Sequence, residues 1–170
     1  MWTAPKNADL IRKAIAKELA ALDPANAAAY EAKSTAYTQA LAALDQAFID
    51  FFAGVSNRTL IVCDRFPLRY FADAYGLDYY AAFPGCSTEV EPSAYTIAYL
   101  TDKVREENIS TVFYIEFSNH LVADSIAEQT GTKTALFHSC HNVSRAELDA
   151  GVSYLSLMEG NLETLKGVMK

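Results

Sequence analysis

The sequence lacks several features that would place it in a well-known protein class. No apolar run approaches the roughly 18–20 residues that span a bilayer, and residues 1–5 have neither the basic start nor the apolar stretch of a signal peptide. We therefore expect no membrane-spanning or export segment within this chain. No glycine-rich phosphate loop follows a predicted strand, so nucleotide binding is not expected either.

Positive charge is also scarce. The chain has 14 lysines and arginines against 21 aspartates and glutamates, a net charge of −7, and no basic cluster longer than two adjacent residues. Because nucleic-acid binding needs a positive stripe along the phosphate backbone, we do not expect a nucleic-acid partner. An acidic surface favours cations over anions as ligands.

Cysteine is sparse. Three cysteines are too few, and odd in number, for a disulfide scaffold. Cys63 lies in an apolar run and is expected to be a buried core thiol. The 170 residues are 51% hydrophobic, which is enough to form one full core without disulfides.

Two helices are predicted at the start of the chain. The first begins at Pro5 or Asn7 and ends at Asp23-Pro24, because aspartate caps helices and proline suits a first helical position. The second continues to Gly54. Roughly 28 residues at 1.5 Å each give a helix of about 40 Å, the length of a strut between two lobes.

Short apolar runs then alternate with helical segments. Strands are predicted over 59–63, 78–83, 111–115 and 133–137, and helices over 66–75, 92–108, 118–131 and 152–168. This alternation predicts an α/β fold in which helices flank a four-stranded parallel sheet. We expect a helical segment over 1–54, including the long strut, and an α/β lobe over 55–170.

The chemistry-bearing residues gather where the predicted strands end, which is where open α/β sheets bind ligands. Two imidazoles and a thiol lie within His138-Ser139-Cys140-His141, directly after the fourth strand. Nitrogen and sulfur ligands suit a borderline-soft metal such as zinc. We predict that His138 is the main metal ligand, and that His141 and Cys140 are further candidates.

Two carboxylates also follow strands. Asp64 follows the first and is predicted to be a metal ligand, although it could instead cap the next helix. Glu116 follows the third; it could accept the second N–H of a ligating imidazole, or pair with Arg65 or a lysine. We place Glu116, Arg65 and His120 in the outer shell of the site.

Two other functions compete with metal capture. Cys140 and His141 are adjacent, as a thiol enzyme would need, but adjacent side chains in an extended loop point apart, so enzymatic activity is not expected. A scaffold lobe whose only partner is a membrane permease is the other alternative.

The sequence resembles the substrate-binding proteins of bacterial zinc and manganese ABC transporters, of the zinc-uptake (TroA-like) type. The segments that carry this resemblance are 2–8, 22–26, 69–77, 85–89, 115–118 and 151–158. They span essentially the whole chain, which corresponds to the second half of a family member. The resemblance implies two α/β lobes joined by a long helix, an extracytoplasmic location with a lipid anchor upstream of this chain, and a metal ion handed to an ABC permease. The first lobe would then be a partner missing from this chain.

The same resemblance implies four metal ligands, two of them histidines of the first half. One of these normally precedes the tryptophan that corresponds to Trp2, where this chain has Met1. The third ligand is usually His or Glu, and the nearest match here is Asp64. The fourth is usually Asp, and here the matching loop is 138–141. Nitrogen and sulfur ligands favour Zn²⁺ over Mn²⁺. A disulfide between Cys86 and Cys140 is left open.

Overall fold

The computed structural model describes residues 1–83 and 92–169. Two antiparallel helices come first: α1 (Pro5–Leu22) and α2 (Ala27–Ala53), with a 3₁₀ turn over Pro24–Asn26 between them. Helix α2 has 27 residues, close to the predicted length. Within the described ranges, no helix combines the length and the apolarity needed to cross a bilayer.

A polar cluster joins the two helices. Asp9 of α1 accepts hydrogen bonds from Thr38 of α2 at 2.9 Å and from Arg12 at 2.8 Å, and pairs with Lys13 at 2.6 Å. Arg12 also donates to Ser34 and Thr38. Burial alone would raise the pKa of Asp9, but these donors outweigh it and lower the pKa to about 2.

Beyond α2, strands and helices alternate as predicted. The strands are β1 (Thr59–Arg65), β2 (Asp78–Phe83), β3 (Thr111–Tyr114) and β4 (Lys133–Leu136), and the remaining helices are α3 (Arg69–Tyr75), α4 (Ala94–Glu106), α5 (Leu121–Thr130), α6 (Arg145–Asp149) and α7 (Tyr154–Val168). The sheet order is β2-β1-β3-β4, and all three pairs are parallel. The predicted α/β fold class is therefore confirmed.

This strand order places the site. The chain builds outward from β1 to β2 on one side, and from β3 to β4 on the other. The carboxyl ends of β1 and β3 consequently flank a topological switch point, the position at which open parallel sheets form a ligand crevice. Asp64 lies near the end of β1, and Glu116 lies just after β3.

Apolar residues cover both faces of the sheet. One face packs against α2, α3 and α7 through Phe48, Phe52, Phe71 and Met158, while the other packs against α4 and α5 through Leu100 and Ile126. Strand β1 alternates between the two faces, which explains its continuous apolar run. Cys63 lies in the second core, where burial and then the charge of Asp64 raise its pKa to about 12, so the expected core thiol is confirmed.

Several boundaries differ from the sequence-based expectation. Strand β1 continues through Arg65, and α3 begins only at Arg69, so Asp64 and Arg65 belong to the strand itself. Leu68 precedes α3 without a side-chain cap, and the proposed capping role of Asp64 is wrong. Helix α6 was not predicted. Cys86, and with it the question of a bridge to Cys140, lies outside the described residues.

Candidate metal site

A cavity of about 690 Å³ opens at the carboxyl ends of β1 and β3. Its polar lining includes Asp64, Arg65, Glu116, Ser139 and His141. Apolar side chains complete the walls: Ile97, Ile115, Phe117, Leu121 and Val122. The structure thus brings four of the predicted site residues to one cavity, together with a serine that the sequence did not single out.

Helix α7 holds the backbone of the loop after β4 through a buried asparagine. The side chain of Asn161 is buried; its Oδ1 accepts the backbone N–H of His138 at 2.7 Å, and its Nδ2 donates to the backbone C=O of His138 at 2.8 Å. Phe137, fully buried just before His138, donates its N–H to Tyr114 of β3 at 2.9 Å. This anchoring determines where the rest of the loop lies.

Glu116 holds the other side of the loop. One carboxylate oxygen accepts the Ser139 N–H at 2.8 Å, and the other accepts the Ser139 hydroxyl at 2.6 Å and the His141 N–H at 3.3 Å. Burial alone would raise the pKa of Glu116, but the hydrogen bonds from Ser139 outweigh it and the pKa lies below its ordinary value. The carboxylate is therefore ionised at neutral pH.

His141 is exposed and lines the cavity. Its Nδ1 lies 3.0 Å from the Ser139 hydroxyl, and its ring meets that of Trp2 edge-to-face with centroids 4.8 Å apart. Tyr154 donates its hydroxyl to the Trp2 carbonyl at 2.7 Å, which fixes the start of the chain beside this loop. Trp2 therefore lies at the site although it is distant from it in sequence.

His138 has a different environment. Its side chain is only 4% exposed, and it is not among the residues that line the cavity. Its Nδ1 accepts the backbone N–H of Cys140 at 3.0 Å. Its Nε2 is buried, has no hydrogen-bond partner among the residues that the structure describes, and lies 3.9 Å from a carboxylate oxygen of Glu147. The role of His138 as main ligand stays a prediction.

Cys140 is half-buried and forms no disulfide with Cys63, the other cysteine within the described ranges, and its φ of 59° lies in the left-handed region. Its sulfur lies 3.8 Å from the His138 carbonyl oxygen, and burial, followed by the charge of Glu116, raises its pKa to about 12. A thiol with this pKa is protonated at neutral pH and is not an activated nucleophile. The geometry therefore gives no support to the thiol-enzyme alternative.

The remaining predicted residues differ in their positions. Asp64 is half-buried at the cavity edge, and its carboxylate accepts the Arg65 N–H at 2.7 Å. Arg65 is exposed at the same edge. His120 stacks on Tyr114 with ring centroids 4.0 Å apart and is not part of the cavity lining. Within residues 1–83 and 92–169, no group of three or more His, Cys, Asp or Glu side chains is close enough to share a metal ion.

Sequence reasoning missed three side chains that shape this loop: Ser139, Glu147 and Asn161. Two of them carried a readable signal. Asn161 interrupts the apolar stripe of α7 between Met158 and Leu165, and Glu147 lies three residues after Ser144, which is the spacing of a capping box. Glu147 forms the capping box of α6 with Ser144 through one carboxylate oxygen, and its other oxygen, Oε1, lies 3.9 Å from His138 Nε2.

Comparison with known proteins supplies the family. The family described as ZnuA, zinc-uptake complex component A, periplasmic, matches residues 1–168. The chain belongs to this family. The ZnuA match extends over α1, α2 and the whole sheet, and confirms the resemblance drawn from the sequence motifs.

Individual ZnuA-like proteins show how much of a relative this chain represents. The zinc-binding lipoprotein AdcA of Streptococcus pneumoniae is 28% identical over 98% of this chain and 33% of its own length. The high-affinity zinc uptake system protein ZnuA of Bacillus subtilis is 30% identical over 98% of this chain and 51% of its own length. The crystal structure of the Zn(II)-bound ZnuA-like domain of S. pneumoniae AdcA matches with a TM-score of 0.81 and 28% identity, over 98% of this chain and 62% of that one. The chain therefore spans between a third and about half of these two curated relatives.

Proposed function

We propose that this chain is the C-terminal lobe, with the connecting helix, of an extracytoplasmic protein that captures Zn²⁺ and delivers it to an ABC-transporter permease. Membership of the zinc-uptake family supports this proposal, as do the zinc-binding relatives. The proposal includes a first lobe that supplies further ligands and a lipid anchor upstream. Residues 1–54 would form the strut segment and 55–170 the metal-binding lobe.

The observation that carries the proposal is the contact between His141 and Trp2. The resemblance places a first-half histidine immediately before this tryptophan, so the point at which the first lobe would deliver its ligand lies beside the ring of His141. His141 and Asp64 line the same cavity and offer nitrogen and oxygen donors, a combination that zinc accepts. Mn²⁺ is less favoured by imidazole nitrogen.

Of the predicted ligands, His141 and Asp64 are the ones on the cavity, whereas His138 and Cys140 are not among the lining residues. We retain all four as candidates for the proposed ligand set. Glu116 and Arg65 lie at the cavity as outer-shell candidates, and Glu116 acts on His141 through Ser139 and not by direct contact with the ring.

Calorimetric zinc titration of the protein with both lobes tests this proposal. His138→Ala and His141→Ala are compared separately with the parent, and Arg69→Ala serves as the control because it removes only an exposed ion pair with Asp73 and Arg69 does not line the cavity. Loss of affinity in His141→Ala or His138→Ala places the metal at this loop. If both variants bind as tightly as the parent, the loop is not the site.

The isolated chain gives a second test. Because the proposal places part of the ligand set in a separate lobe, we expect this chain alone to bind zinc weakly. Sub-micromolar one-to-one binding by the isolated chain would contradict the division of ligands between two lobes.

A further inference from the structure

The loop after β4 holds two imidazoles whose hydrogen bonds place the ring proton on opposite nitrogens. We propose that Ser139 relays the negative charge of Glu116 to His141, so that His141 keeps its proton on Nδ1 and presents Nε2 as the metal-binding atom. Ser139 and Glu116 are then positioning residues for the ligand, whereas His138 uses Nδ1 in a backbone hydrogen bond and would need the other tautomer to ligate through Nε2. The part of this inference that concerns metal rests on the proposed function; the part that concerns the protons does not.

The Ser139 hydroxyl has a single proton to donate. Its oxygen lies 2.6 Å from one oxygen of Glu116, while the Ser139 backbone N–H donates to the other oxygen at 2.8 Å. An ionised carboxylate only accepts hydrogen bonds, so the hydroxyl proton must point at Glu116. At this short distance the hydrogen bond is charge-assisted and strong.

The orientation of that proton determines the tautomer of His141. The Ser139 oxygen is 3.0 Å from His141 Nδ1, and it has only lone pairs left on this side. Nδ1 must therefore carry the hydrogen and donate it. In a neutral imidazole the other nitrogen, Nε2, then has the free lone pair that a zinc ligand needs. A carboxylate that acts behind a ligating histidine is the usual way in which proteins orient such a ring, and here a serine lies between the two.

His138 shows the reverse arrangement. The backbone N–H of Cys140 donates to His138 Nδ1 at 3.0 Å, so this nitrogen is the acceptor and the proton of the neutral ring is on Nε2. That nitrogen is buried and lies 3.9 Å from a carboxylate oxygen of Glu147. A protonated nitrogen offers no lone pair to a metal, so His138 cannot ligate through Nε2 unless it gives up the bond from Cys140.

Long-range ¹H–¹⁵N spectra of the histidine rings test the proton assignment without metal. At about pH 8, where an ordinary imidazole is neutral, protonated and bare ring nitrogens give well-separated signals. We expect Nε2 to be bare in His141 and protonated in His138. Protonated Nε2 in His141, or bare Nε2 in His138, would overturn the proposal.

Ser139→Ala is the sharpest variant, because it removes the hydroxyl oxygen that accepts from His141 Nδ1 and keeps the backbone N–H bond to Glu116. Without that acceptor nothing holds the His141 proton on Nδ1, and we expect the tautomer with the proton on Nε2 to become populated. Glu116→Gln removes the charge behind Ser139, but its amide can turn so that its oxygen still accepts the Ser139 hydroxyl and the His141 N–H, as one carboxylate oxygen does now. The deciding spectrum is therefore that of Ser139→Ala, and an unchanged His141 spectrum in this folded variant contradicts the relay.

Zinc titration followed on the same ring signals completes the test. We expect Glu116→Gln and Ser139→Ala to bind zinc at least about tenfold more weakly than the parent, the range measured for partners of metal-bound histidines. Ser139→Ala keeps the backbone bond to Glu116 and serves if Glu116→Gln does not fold. The matched control is Ser125→Ala, which lines the same cavity but bonds Gln129 of its own helix. Equal zinc affinity in the parent and all variants would refute the positioning role of Glu116 and Ser139. A parent protein that binds no zinc but shows the expected tautomers would refute the proposed function and still support the proton assignment.

Discussion

Replacing Asn161 with alanine removes both hydrogen bonds that hold the backbone of His138. The Asn161 side chain is 2% exposed, and its bonds to the His138 N–H and C=O are 2.7 and 2.8 Å long. Deleting it leaves the His138 N–H buried without this acceptor, and leaves the His138 carbonyl with the weak contact from the Cys140 sulfur at 3.8 Å. Each such group costs about 1–3 kcal/mol, and local relaxation recovers part of this, so we expect Asn161→Ala to lower the free energy of unfolding by about 2–4 kcal/mol. That is a large fraction of the roughly 5–15 kcal/mol typical of a domain.

Urea denaturation followed by circular dichroism measures this loss. Asn161→Asp is the isosteric companion: it can still accept the His138 N–H, but it turns a buried carboxylate oxygen toward the His138 carbonyl, so it should destabilise the protein as well. Asn142→Ala is the control, because Asn142 is an exposed residue of the same loop, and we expect a change within about 0.5 kcal/mol. If Asn161→Ala costs less than about 1 kcal/mol, or no more than Asn142→Ala, the loop is not anchored as argued here.

Three further outcomes are expected. The variant Met1→His, made with an added initiator methionine before it, places an imidazole next to the Trp2–His141 contact. It should tighten zinc binding by about tenfold, or roughly 1.4 kcal/mol. An unchanged zinc affinity in calorimetry would contradict the proposed position of the first-half ligand. Because burial raises the Cys140 pKa to about 12, peptide mapping should find Cys140 unlabelled by iodoacetamide at neutral pH in folded protein, and rapid labelling would revive the thiol-enzyme alternative. The pKa of Asp9 is about 2, below its ordinary value, so the Asp9 carboxylate stabilises the fold above about pH 4 and this stabilisation is lost as the pH falls toward 2. In urea denaturation, Asp9→Asn should lower the free energy of unfolding by about 1–2 kcal/mol at neutral pH and by almost nothing near pH 2. An equal loss at both pH values would show that the charge is not involved.

The sequence predicted the sheet well because its strands are short apolar runs covered on both faces. Periodicity separates such runs from the amphipathic helices between them, and β2 was predicted with its observed bounds. The carboxyl end of β1 was less predictable. Asp64 and Arg65 are polar, so the apolar run stops before the strand does, although the backbone ladder continues to the pairing of Arg65 with Phe83.

The site was predictable at the level of loops and not of atoms. Strand-end position correctly brought Asp64, Glu116 and His141 to one cavity, since parallel strands share an edge. The choice between His138 and His141 as main ligand stays a prediction, because it depends on which ring nitrogen is already hydrogen-bonded, and that is determined by the backbone N–H of Cys140 and the hydroxyl of Ser139. These hydrogen bonds depend on the left-handed backbone conformation of Cys140, and no pattern in the sequence predicted that conformation.

The hairpin of α1 and α2 projects away from the site. Helix α1 begins beside the loop after β4, where Tyr154 donates a hydrogen bond to Trp2, and runs for 18 residues against the N-terminal half of α2. Tyr37 of α2 already lies near Cys140 and Tyr154, so about ten residues of α2, or roughly 15 Å, extend beyond the lobe. By simple geometry, a tilt of about 5° at the base moves the tip by about 1.3 Å over this length. A displacement of Trp2 and His141 at the base of the hairpin is therefore expected to be larger at its far end, so any movement of this loop would be most visible at the turn between α1 and α2.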